Sequence, residues 1–472
     1  TGALTISAGT VKAGNSAAFG VSGTVASGTT ISSGATLDIN GQSLGSERFT
    51  VSGAGVGGAG AIVNTGPNSL YAIRSLTLAG PTTIGGPEHW FFTSGSGVIL
   101  SGHTLTKVGA NDVVLSTNLN PGSGHIDIKE GSFWFTGEAK PGGTSANTVT
   151  VRSGAMFGLA GDLNPRVWTA VFESGSTWRA ALGNTVEWDG PVTVAGAATF
   201  DSQVDTTMRV NGVISGSGSF TKTGPGEWTL RRQNTYSGGT TVNAGKLGLG
   251  PVDSGGNVLR GAVTVNQGGT LTLNGTDVLG TASVARVSTL NIAGGLVEND
   301  LSSGSNSAPV INLTGGMLVS DAGRNRPTAT SLYTMKDDAV INGLAAAVPS
   351  TISGRIHLGA GNLGNRTVFN IADGAATEDL RIRAAITGSV AGSGIYKTGA
   401  GTLSLYGPAT FTGPTGIEAG TLLLDGEASR LEDSQVVVGT GGRFGTMVPG
   451  KTLKAVSASG TLVLPAVPGG TT

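Results

Sequence analysis

The side chains that could do chemistry in this chain are few, and most stand apart from one another. Gly41-Gln42-Ser43-Leu44-Gly45 fits the Gly-x-Ser-x-Gly pattern, which exposes a nucleophilic serine on a sharp strand-to-helix turn. Here the pattern lies among short β-type segments, and in a chain this rich in Gly and Ser it arises by chance. Ser43 is therefore set aside. The four histidines, His89, His103, His125 and His357, are scattered and form no metal-ligand spacing. Polysaccharide hydrolysis needs carboxylates gathered on one face as an acid and base pair, or as calcium ligands. The acidic residues come instead as isolated neighbours: Glu187 and Asp189, Asp201 and Asp205, Asp337 and Asp338, Glu378 and Asp379, Glu432 and Asp433. Each pair reads as a solvated face. No catalytic residue, metal or cofactor is expected.

The tryptophans are more informative. All six, Trp90, Trp134, Trp168, Trp178, Trp188 and Trp228, fall in the first half of the chain. They could form a buried aromatic ladder or a stacking surface for sugars. In Ala244-Gly245-Lys246-Leu247-Gly248-Leu249 the residues two and four after the first Gly are apolar and point inward. Phe133 and Phe135 hold those places after Gly131, which turns Trp134 outward. The same count from Gly175 turns Trp178 outward, and Trp188, two before Gly190, takes the outward place of Asn243. Trp228 aligns with Leu403 and is expected in the core. Trp134, Trp178 and Trp188 are thus the candidate ligand-binding residues. The competing reading is packing beneath loops, since Trp is highly buried on average.

These side chains must be positioned by a short repeated element. Thr30-Ile31-Ser32-Ser33-Gly34-Ala35-Thr36-Leu37-Asp38-Ile39 alternates apolar with small polar residues around a central Gly, and the shape returns at Val263–Leu273, Leu290–Val297 and Ile311–Val319. Period-2 alternation predicts strands with one buried face. The central Gly allows a bend that a Cβ resists, and a spacing near 20 residues matches one turn of a solenoid. A coil cannot bury its apolar face alone, so coils must stack. A sandwich would not repeat one Gly-centred unit from end to end. The expectation is an all-β, right-handed parallel β-helix, one continuous elongated rod over residues 1–472, with loop excursions at 301–308 and 321–338.

A longer repeat lies over this pattern. Lys222-Thr223-Gly224 is followed by Asn234-Thr235-Tyr236-Ser237-Gly238-Gly239-Thr240 and Ala244-Gly245. Lys397-Thr398-Gly399 is followed by Ala409-Thr410-Phe411 and Ala419-Gly420, with the same 23-residue span from Lys to the last Gly. A weaker copy runs from Lys107-Val108-Gly109 to Glu130-Gly131. The three copies, near 104–137, 214–249 and 390–424, resemble the passenger-associated transport repeat of autotransporter passengers. The resemblance implies a β-helical stalk, secreted or on the bacterial outer surface. In that family a membrane-embedded β-barrel follows. The alternating ~10-residue segments of a barrel do not occur before Thr472, so the barrel is expected to be cleaved away or not used.

Composition sets the outer limits. The 82 glycines exceed twice the usual ~7% share but lack the every-third spacing of collagen, and 38% hydrophobic residues exclude a flexible linker. Charged residues make up 12% and the net charge is −1, which argues against nucleic acid as a partner and toward self-association or glycan contact. No apolar run is long enough to span a membrane as a helix. Cysteine is absent, so stability must come from stacked hydrogen bonds and a continuous core. The expected function is a non-catalytic structural or adhesive stalk, whose partners are itself or a surface glycan or protein. The rivals are a self-assembling extracellular fibre or surface-layer subunit, and a β-helical polysaccharide-active enzyme.

Overall fold

The structure, a computed structural model, describes residues 3–463 apart from 21–26, 46, 120–122, 138–143, 162–166, 184, 251–255, 257, 281–286, 321–330, 336–338, 360–365 and 389–391. The chain is all-β and winds as a parallel β-solenoid of about 18 turns. It divides into two compact units, residues 1–229 with 235–238 and residues 230–234 with 239–472.

In the first unit a turn is built from short strands joined by tight corners. Thr169–Phe172, Thr177–Ala181 and Thr185–Trp188 make one turn. The next turn is Val192–Val194, Ala198–Ser202 and Thr207–Val210. All three pairs are parallel and in register: Phe172 opposes Val194, Trp178 opposes Phe200 and Trp188 opposes Val210. A turn of 22 residues brings like side chain over like, because strand pairing fixes both the register and the face. Alternation then sorts the residues. In Thr148–Val151, Val149 and Val151 are buried while Thr148 and Thr150 are partly exposed.

In the second unit Val263, Leu290, Ile311, Ile341 and Phe369 succeed one another as register partners in one buried column. One residue further along the same strands, asparagines stack on the outside. Asn312 Nδ2 donates to Asn291 Oδ1 at 2.7 Å, Asn342 Nδ2 to Asn312 Oδ1 at 2.8 Å, and Asn370 Nδ2 to Asn342 Oδ1 at 3.2 Å. Each amide is both donor and acceptor, so a parallel stack satisfies its neighbours in turn. A separate four-stranded parallel sheet joins Ser305–Asn306, Leu332–Met335, Arg355–Leu358 and Ala385–Gly388.

That sheet changes the expected loop excursions. Within 301–308, Asn306 is buried; it accepts from Val278 N at 2.9 Å and donates to Gly275 O at 3.0 Å. It is a structural bridge between coils, where a solvated loop was expected. Within 321–338, Tyr333 is fully enclosed and its hydroxyl donates to Val319 O at 3.1 Å; residues 321–330 and 336–338 lie outside the described residues.

Candidate functional site

The tryptophans divide differently from the expected pattern. Trp134 is half-buried between the enclosed Phe133 and Phe135, so it faces outward as its register predicts. Trp228 is in the core, also as predicted. Trp178 and Trp188, expected outside, are fully buried, and neither offers a surface to a ligand.

The reason is corner length. Between the inward Ile128 and Phe133 the corner holds four residues, Lys129 to Ser132. Between the register-equivalent Val151 and Phe157 it holds five, Arg152 to Met156. The corner between Phe172 and Trp178 has the longer form, and Trp178 stacks in register on Phe157. One added residue reverses every later side chain, so a count that works from Gly131 fails from Gly175. Trp188 fails for another reason. It ends the third strand of its turn, opposite Val210, and Gly190 lies in the connection to the next turn, not in a corner like that of Gly245.

The buried rings form one aromatic column in the first unit. Trp178 lies 4.9 Å from Phe172, 5.5 Å from Trp188, 5.5 Å from Phe200 and 5.1 Å from Trp228, and Phe200 stacks on Phe220 at 4.6 Å. The indole N–H groups of Trp178 and Trp188 are buried without a hydrogen-bond partner. Their edge-to-face neighbours, Trp188 at 83° to Trp178 and Phe200 at 87° to it, supply quadrupolar contact instead.

The residues that sequence reasoning passed over are three lysines. Lys107, Lys222 and Lys397, which open the Lys-x-Gly turns, are completely buried. Each occupies an inward place of its strand and curls its ammonium back into the corner. Lys107 Nζ donates to the carbonyls of Val108, Gly109 and Glu130 at 3.1, 2.8 and 3.1 Å. Lys397 Nζ donates to those of Thr398, Gly399 and Ala419 at 2.8, 2.7 and 3.0 Å, and Lys222 Nζ to those of Thr223 and Gly224 at 2.7 and 2.8 Å. The glycines at 109, 224 and 399 have φ of +79°, +72° and +75°, and a Cβ on any of them would strike the backbone of the turn below. The left-handed glycine aims successive carbonyls into the corner, and the ammonium satisfies them where water cannot. A signal was present: alternation in Thr104-Leu105-Thr106-Lys107 puts Lys107 on the same face as Leu105. The missing Asn-Thr-Tyr of the third copy costs little packing, because Phe411 is buried in its own coil as Tyr236 is.

Burial pulls each of these ammonium groups down to about 8. Nearby carboxylates oppose the shift: Asp112 and Glu130 for Lys107, Asp201 and Glu227 for Lys222, Asp379 for Lys397. Between about pH 8 and the ordinary lysine value near 10.5, the unfolded chain binds more protons than the folded one. Stability therefore rises with pH across that window, and is flat in these groups below it. The expected result is a higher urea midpoint at pH 9.5 than at pH 7.5, and a smaller rise when all three lysines are replaced by methionine.

Carboxylates do gather at one place in the second unit. Tyr406 Oη lies 2.8 Å from both Glu378 Oε1 and Asp425 Oδ2, so the two carboxylates sit within about the separation used by retaining glycosidases. Their environment does not suit a general acid. Burial pushes Glu378 up, but the Ser404 hydroxyl, Tyr406 and Arg381 together outweigh it and hold the carboxyl below its usual range. Arg381 Nε pairs with Glu378 Oε2 at 2.5 Å, and Arg383 lies over the Tyr406 ring at 5.0 Å. Among the described residues, no three His, Asp or Glu side chains converge as a metal site. No described helix is long and apolar enough to cross a membrane. Ser43 Oγ donates to Tyr71 O at 2.9 Å, a structural bond between coils.

The coiled fold and its lysine-capped corners define the class: a repeat-built parallel β-solenoid. Residues 220–249 and 395–424 match the family described as Passenger-associated-transport-repeat. The chain is also 27% identical over 393 residues to the Adhesin BmaC autotransporter of Brucella suis biovar 1 (strain 1330), covering 75% of this chain. It spans 11% of that relative's length. The stalk is accordingly extracellular or on the bacterial outer surface.

Proposed function

We propose that this chain is a non-catalytic section of a surface stalk, and that its outer faces carry adhesive contacts to a surface glycan or protein. The observation that carries this reading is the segregation of its residues. The charged and aromatic side chains that would build an active site are absorbed into the column, the corners and ion pairs. Such ion pairs tie one turn to the next, as where Arg152 contacts Asp127 at 2.7 Å and Glu173 at 2.6 Å. Among the described residues, what faces outward is mostly Thr, Asn and small residues with single apolar side chains such as Tyr71 and Leu182 between them, suited to many weak contacts rather than to turnover. The likeness to an adhesin supports the same reading.

Beads coated with the purified chain are expected to adhere to host-type cell layers above the level of beads coated with an unrelated protein, and the chain is expected to release no reducing ends from polysaccharide. Background adhesion, or sugar release at any enzymatic rate, removes the proposal.

A further inference from the structure

Of the three tryptophans with a predicted outward face, Trp134 alone keeps it, and its surroundings are specifically arranged. Its register partner in the next turn is Gly158. A Cβ there would run into the Trp134 ring, so the indole lies down across the sheet over a residue with no side chain. A hydrogen-bond chain fixes the ring in its plane. Trp134 Nε1 donates to Ser132 Oγ at 2.8 Å, Ser132 Oγ donates to Asp112 Oδ1, and His89 Nδ1 sits 3.0 Å from Asp112 Oδ2. Continuing up the same outward column, Arg179 and then Asp201 follow Gly158, joined by an ion pair at 2.7 Å.

We propose that Trp134 is the platform of a carbohydrate-binding site on the outer face of the first unit, taking a neutral pyranose by stacking. This deepens the adhesive reading and rests on it. A flat, immobilised indole presents its π-face to the axial C–H groups of a sugar and loses little conformational freedom on binding. Asp112, with a side chain 37% exposed, offers a carboxylate to a pair of vicinal hydroxyls. Arg179 and Asp201 lie two and three turns away, about 10 and 14 Å at the strand spacing of a sheet, the reach of a second and third sugar. Arg179 is neutralised by Asp201 at 2.7 Å and Asp112 adds a carboxylate rather than a cation, which favours a neutral saccharide over an acidic one. A protein anchor would need a pocket for a protruding side chain, whereas this surface is a flat sheet.

The test titrates the intact chain with N-acetylchitotriose and cellotriose as neutral probes and trigalacturonate as an acidic one, read by NMR of the sugar signals. A neutral probe is expected to bind, and Trp134→Ala to weaken it by about tenfold or more. Gly158→Ala is expected to weaken it as well. Its backbone tolerates a Cβ, so the fold survives, but the indole must lift from the sheet. Trp134→Phe is expected to retain part of the affinity. The site is overturned if neither neutral probe binds, if the acidic probe binds better, or if Trp134→Ala and Gly158→Ala leave the affinity unchanged. Adhesion of coated beads that persists while no saccharide binds overturns this site and leaves the adhesive reading standing. Saccharide binding without adhesion of beads does the reverse.

Discussion

Replacing Lys397 by methionine is expected to lower the stability of the second unit by about 2–4 kcal/mol, although methionine fills nearly the same space. The ammonium is the hydrogen-bond donor for three corner carbonyls at 2.7–3.0 Å in a site with no exposure. Removing it leaves those acceptors buried and unpaired, at about 1–3 kcal/mol for each that cannot recover a partner. Relief of the ammonium's own desolvation offsets part of this loss, which is why the range stays below the full sum. Urea denaturation gives the magnitude. Hydrogen exchange gives the location, with lost protection expected in Gly394–Thr398 and Thr415–Leu424, the strands that meet at the corner. An unchanged midpoint, with exchange unaltered in those strands, would show that the ammonium is not what holds the corner. Because the same cap recurs at Lys107 and Lys222, the corresponding substitutions should act alike, and their effects should add where the coils do not touch.

The second large effect is expected from Trp178→Ala, at about 3–5 kcal/mol against the first unit. Trp178 meets five aromatic neighbours in four successive turns: Phe157, Phe172, Trp188, Phe200 and Trp228. Its removal leaves a cavity in a column that cannot collapse, since each neighbouring strand is held in register by its own ladder. Trp134→Ala, one face in solvent, should cost far less, on the order of 1 kcal/mol. Near-ultraviolet dichroism and thermal unfolding of the two variants separate a buried ladder from a surface row. Equal losses, or a larger loss at Trp134, would contradict the column as described. Trp178→Phe is a useful intermediate, because it keeps the stacked contact with Phe172 while giving up the edge contacts made by the indole.

The distribution of these effects follows from how a solenoid is built. Each coil contacts its neighbours above and below, so stability is a sum of local interfaces. A destabilised corner opens its own neighbourhood first. The lysine caps and the aromatic column stabilise by different means, polar satisfaction at the corners and apolar burial along the axis, and only the first depends on pH.

Much of this was legible in the residues. Alternation around Gly in Ile31-Ser32-Ser33-Gly34-Ala35 specified strands and corners, because side chains on a strand reverse every residue whatever surrounds it. Repetition of that unit required stacking, because no single coil buries its own face. The Lys-Thr-Gly and Asn-Thr-Tyr elements pointed to the passenger repeat, the count from Gly131 placed Trp134 outside, and alignment with Leu403 placed Trp228 inside. Three things were decided only in the tertiary structure. Trp178 faces the core because phase does not carry across a corner: it is reset by how many residues the corner holds, and only the stack of coils fixes that number. Trp188 faces the core because it ends the third strand of its turn, opposite Val210, so that Gly190 is no guide to its phase. The lysines at 107, 222 and 397 are interior because a side chain that looks cationic in sequence finds, once the corner carbonyls converge on it, a polar site inside an apolar column. The Trp134 platform exists because Gly158, 24 residues later, lies directly over it, a juxtaposition set by the length of one particular turn.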